Sequence, residues 1–167
     1  PEGPRVTSLA DVEPEVIEWL WPGFIPLGKI TDVIGDGDLG KSLVLCDLIA
    51  RHTVGALMPN ETRAPEREAI NVLMLVAEDD IADTVVPRLI AAGADLDRIS
   101  VLEGPSDEAS NPIVFPQDFD ALEHAIEDRE ARLVVIDPVM AFLGNTRTGI
   151  DSEVRNALMN RLKEIAA

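Results

Sequence analysis

The chain has 167 residues, enough for one domain with its own core. Its 14 Lys and Arg against 31 Asp and Glu give a net charge of −17, which excludes binding nucleic acid through bulk electrostatics alone. The 46% apolar content excludes a disordered chain, the single cysteine Cys46 excludes an intrachain disulfide or a cysteine zinc cluster, and no apolar run reaches the ~18–20 residues of a membrane span.

Residues 1–27 carry several prolines and the apolar cluster Trp19, Leu20, Trp21, Phe24 and Ile25. They are expected to form an irregular lead-in that packs on the edge of a core spanning 28–167. A strand is expected over 29–34, broken by the glycine-rich stretch 35–40. The segment 41–54 is apolar nearly all round, so a buried helix is expected there, ended by Gly55 and Pro59. Residues 69–77 are an apolar run of strand length, as in parallel strands covered on both faces. Ile81, Val85, Leu89 and Ala92 recur at helical spacing, with Thr84 as a candidate cap, and Gly93 ends that helix.

A short strand is expected over 98–102 and a mobile surface loop over 104–116. Phe119, Leu122 and Ile126 mark an amphipathic helix. A fourth strand spans 133–136 and ends at Asp137-Pro138, and a last helix spans 152–165. Strands and helices therefore alternate, which predicts an α/β fold: a mainly parallel sheet with helices on both faces. In such a sheet functional residues gather at the carboxyl ends of the strands. With no basic-then-apolar leader in view, a cytoplasmic location is the expectation.

The residues that carry chemistry sit at those strand ends. Gly35, Asp36, Gly37, Asp38, Leu39, Gly40, Lys41 and Ser42 match the phosphate-binding loop in full, and Leu43 continues into the helix. Backbone N–H groups of such a loop and of the helix start point at phosphates. Lys41 is the residue expected to reach the outer phosphates of ATP, and Ser42 to hold Mg²⁺. The strand ending in Asp137 has the Walker B arrangement, in which the carboxylate also serves Mg²⁺. Two readings fit Glu78, which follows the strand over 69–77: a general base that polarises the attacking water, or a solvated acid beside capping residues such as Asp79 and Asp80. Cys46, among Val44, Leu45 and Leu48, reads as a buried inert thiol.

Four segments together resemble the RecA-like ATPases of the RepA replicative-helicase type, often labelled AAA-family ATPases. They are 19–23 (Trp-Leu-Trp-Pro-Gly), 35–42, 77–80 (Ala-Glu-Asp-Asp) and 135–144 (Val-Ile-Asp-Pro-Val-Met-Ala-Phe-Leu-Gly). The resemblance runs from Leu9 to the end of the chain. It implies a RecA-like fold in which Glu78 is the catalytic base and Asp137 serves Mg²⁺. It also implies a homo-oligomer, a hexameric ring with ATP held between subunits, that moves on single-stranded DNA in replication or repair. A nucleotide-binding or assembly module that does not hydrolyse ATP is the alternative.

The chain departs from that pattern in three places. Gly37 and Asp38 stand where the family has Pro and Gly, which puts a carboxylate beside the outer phosphates. Asp32 falls inside the expected strand, where a buried carboxylate needs a partner. The strand that the family inserts between the Walker B strand and the phosphate-loop strand would lie beyond residue 167. The sequence therefore reads as the N-terminal part of a larger ATPase domain, whose DNA-contacting loops follow.

Overall fold

The computed structural model describes residues 6–37, 39–62, 67–104, 112–143 and 152–166. The expectations for Asp38, Gly144 and the middle of the loop at 105–111 lie outside them. At the centre is a three-stranded sheet of order β4-β3-β5, made of β3 (Asn71–Val76), β4 (Ile99–Val101) and β5 (Ala131–Asp137). Both pairings are parallel, as the alternation of elements predicts. In register, Val76 stands opposite Asp137, so the two longest strands end side by side.

Successive residues of β3 face opposite ways, and each face has its own core. Leu73 and Leu75 pack with Phe119 and Leu122 of α3 (Phe119–Asp128) and Leu158 of α4 (Ser152–Ala166). Val72 and Met74 pack with Cys46 and Ile49 of α1 (Lys41–Thr53) and Leu89 of α2 (Val86–Ala92). Helices therefore cover both faces. Each fully buried Leu or Ile contributes roughly 1.5–3 kcal/mol, which makes β3 the axis of the fold. Among the described residues, Arg161 on α4 also reaches Glu123 on α3 with an ion pair.

Four local expectations need correction. Residues 29–34 form no strand: they pair with no described neighbour, and Ile34 is 87% exposed. An extended segment becomes a strand only through a ladder, and none is offered here. Asp32 is consequently exposed and needs no buried partner. Helix α1 is not buried all round, since Leu43 and Val44 on its first turn face outward. Beside the undescribed part of the 104–116 loop, Ile113 and Phe115 are buried. Phe115 stacks on Phe119 and its N–H donates to the Phe142 carbonyl at 2.8 Å, so this segment is core rather than loose surface.

Smaller differences have local causes. Asp80, not Thr84, caps the helix after β3: its Oδ1 accepts from the N–H of Ala82 and Asp83. The turn it caps, Ile81–Val85, is a π turn, with the Val85 N–H donating to the Asp80 carbonyl. Gly93 ends α2 in the left-handed conformation, as its position predicts. Near the N-terminus, β1 (Trp19–Trp21) and β2 (Ile25–Pro26) form a small antiparallel hairpin. Trp21 stacks on Phe24 and donates its indole N–H to Asn60 at 2.6 Å.

Candidate functional site

The site is built where α1 begins and where β3 and β5 end. Gly40 occupies the N-cap of α1 at φ 78°, a left-handed conformation that glycine adopts without strain. Among the described residues no side chain caps this helix, which leaves its first-turn N–H groups to an external acceptor. Lys41 turns back on the loop: its Nζ donates to the carbonyls of Gly35 at 2.9 Å and Asp36 at 2.6 Å. The ammonium thus closes the ring that the glycines open. Gly37 has open space where a Cβ would be, and Leu39 and Leu43 are exposed.

One hydrogen bond joins the two halves of the site. Ser42 Oγ donates to Asp137 Oδ2 at 2.8 Å, across 95 residues of sequence. Helix α1 packs its Cys46 face on β3, which swings its first turn over the end of β5. The parallel register then sets Asp137 beneath Ser42. A hydroxyl and a carboxylate oxygen so placed are the hard donors that Mg²⁺ takes, together with phosphate oxygens and water. Among the described residues no cluster of three metal-ligating side chains occurs.

Beside this bond lies a cavity of about 20 Å³, room for about one water. Ser42, Cys46, Asp79, Arg88 and Asp137 line it. Asp79 accepts from Arg88 Nη1 at 2.5 Å, both side chains being about one-third exposed. The Cys46 thiol registers all three charges. Burial pushes its pKa up, Arg88 draws it down, and Asp137 and Asp79 push it up. Cys46 is buried as its neighbours predict, and its raised pKa keeps it a thiol.

The structure therefore brings Ser42 and Asp137 together, with Lys41 on the loop side. Glu78 sits two residues past the Asp137 partner Val76, at the same end of the sheet. It is exposed and does not line the cavity; its neighbour Asp79 does. Arg88 is the residue that the sequence reading passed over. Its signal was available: it lies three positions after Val85, on the face that the helical periodicity marks as buried.

A family model described as AAA domain matches residues 3–167. No curated protein and no solved structure matches the chain.

Proposed function

The chain belongs to the AAA-domain family, and on that premise we propose that it is a RecA-like ATPase that binds and hydrolyses Mg-ATP. The observation that carries this reading is the Ser42–Asp137 hydrogen bond, which joins a complete phosphate-loop sequence to the carboxylate of the Walker B strand. Lys41 and the loop amides hold the phosphates. Ser42 and Asp137 hold Mg²⁺, which when bound neutralises charge on the phosphate oxygens. Glu78, two residues past β3 at the same end of the sheet as Asp137, takes a proton from the attacking water. Glu78 is exposed at this end of the sheet, open to such a water.

The finer part of the proposal rests on the resemblance of segments 19–23, 35–42, 77–80 and 135–144 to the RepA helicase type. It assigns the protein to DNA replication or repair, as a ring-forming motor on single-stranded DNA. The RecA-like strand order also accounts for two open edges. Among the described residues, neither the outer edge of β5 nor segment 29–34 has a ladder partner. In a RecA-like sheet one further strand pairs with both.

The position of Glu78 outside the cavity favours one alternative, a nucleotide-binding module without turnover. The test is thermal unfolding with and without Mg-ATP, together with phosphate release. Ligand at about 100 times its Kd stabilises by about 2.7 kcal/mol. For a chain of this size that raises Tm by about 5–10 °C. Lys41→Ala is expected to abolish the shift. No shift in the parent protein overturns the reading, and a shift without phosphate release, with single-stranded DNA present, selects the alternative.

A further inference from the structure

We propose that Asp79 and Arg88 form a latch: Asp79 holds Arg88 at the cavity edge, and Arg88 leaves it to bind the terminal phosphate of a nucleoside triphosphate. This inference rests on the ATP-binding reading above and adds to it a group that reads the number of phosphates.

The placement is the first argument. Among the described residues lining the cavity, Arg88 is the one cation, and it faces Ser42 together with the carboxylates Asp79 and Asp137. Lys41 is not available there, because its ammonium is turned to the Gly35 and Asp36 carbonyls. The cavity lies on the strand side of Ser42, and residues 35–37 and 39–41 do not line it. A phosphate reaching Arg88 is therefore the one farthest from the loop.

Charge and size are the second. Arg88 pairs with Asp79 while Asp137 accepts from Ser42 at the same cavity, so a phosphate that arrives with Mg²⁺ competes with Asp79 for Arg88. The Asp79–Arg88 pair is about one-third exposed on each side. Such a pair is weak, whereas a guanidinium on a phosphate makes two parallel charged hydrogen bonds. The cavity holds about one water at about 20 Å³, so a phosphate does not fit until the pair parts.

The backbone supplies the third argument. Arg88 lies three residues past the π turn Ile81–Val85, whose N-cap is Asp80, beside Asp79. A π turn holds one residue more than an α turn needs and recurs at functional sites. Its conversion to α geometry changes the direction of the helix face that carries Arg88. Parting of the pair therefore has a local hinge and does not require α2 to leave the core, where Leu89 stays buried.

The test is calorimetric titration of the parent protein with Mg-AMP-PNP and with Mg-ADP, with thermal unfolding as the check on folding. Arg88→Gln is expected to weaken AMP-PNP binding about tenfold or more and to leave ADP binding within about twofold. Arg88→Lys, which keeps the charge without the fork, recovers part of the loss. Asp79→Asn is expected to tighten AMP-PNP binding by up to about fivefold, the most that a weak surface pair withholds. That gain is expected to vanish in the double variant. Equal losses of both nucleotides in Arg88→Gln overturn the latch, as does unchanged AMP-PNP affinity in Asp79→Asn, which decides the matter if Arg88→Gln does not fold. A parent protein that binds neither nucleotide overturns the ATP-binding reading itself, and the latch with it.

Discussion

His52 gives a sharp test of how this core is held. It lies on α1 at zero exposure, and neither ring nitrogen has a hydrogen-bond partner among the described residues. Burial lowers its pKa from the ordinary 6.5 to about 4, with Arg67 adding to the shift and Glu61 opposing it. The folded state thus resists protonating a group that the unfolded chain protonates readily. Stability is complete above the unfolded value of 6.5 and is lost as pH falls toward 4. At about 1.4 kcal/mol per pH unit, the full loss is on the order of 3 kcal/mol, most of it spent by about pH 4.5. In His52→Met the flexible thioether fills the site and removes both unpartnered nitrogens. At pH 7.5 the variant is expected to equal or exceed the parent, because a buried polar group without a partner costs about 1–3 kcal/mol. Urea unfolding followed by circular dichroism, stepped from pH 7.5 to 4.5, reads the difference. The parent is expected to lose stability faster than the variant by about 2–3 kcal/mol. Parallel curves across that range would refute the reasoning, since other acid-sensitive groups are common to both proteins.

Three further outcomes are expected. Asp137→Asn keeps an oxygen to accept from Ser42 but loses the charge; calorimetry with and without Mg²⁺ should show the metal-dependent part of nucleotide affinity falling about tenfold or more. Gly55→Ala places a Cβ 2.5 Å from the Arg67 carbonyl oxygen at φ +64°. Its cost should exceed the ~1–2 kcal/mol of a left-handed residue, and a fall in Tm of less than about 2 °C would count against it. Glu61→Ala removes two bonds to Arg67, at 2.8 and 3.0 Å, and one from the Met58 N–H. The expected cost at neutral pH is about 2–3 kcal/mol. Those bonds hold the Glu61 carboxyl below its usual range. Its contribution is therefore present at neutral pH and lost as pH falls through that lowered value, so the gap between parent and variant should narrow in acid.

Periodicity and local chemistry were legible wherever a segment makes its contacts through its own pattern. The apolar run around Leu73 became β3, Phe119 and Leu122 became the buried face of α3, and Gly93 stopped α2. The turn at Gly40 and the helix start at Lys41 were legible for the same reason, since they depend on backbone shape and adjacent residues. The segment 29–34 was misread because a strand is a property of two neighbours, and an extended β-rich sequence contains only one of them. Ile113 and Phe115 were misread because proline and serine nearby signal a loop, while the buried aromatic cluster that recruits them lies on α3 and at Phe142.

The sequence by itself determined the order of elements from α1 onward, the parallel α/β class and the glycine turn that starts α1. These follow from spacing and from residue types acting within a few positions of one another. The tertiary structure decided what lies across from what. Parallel register brought Asp137 to the end of Val76, and the packing of α1 on β3 carried Ser42 to Asp137. Arg88 of α2 pairs with Asp79 at the same cavity. The meeting of Ser42 with Asp137 spans 95 residues and depends on how α1 seats on the sheet, and no local pattern in the chain encodes that geometry.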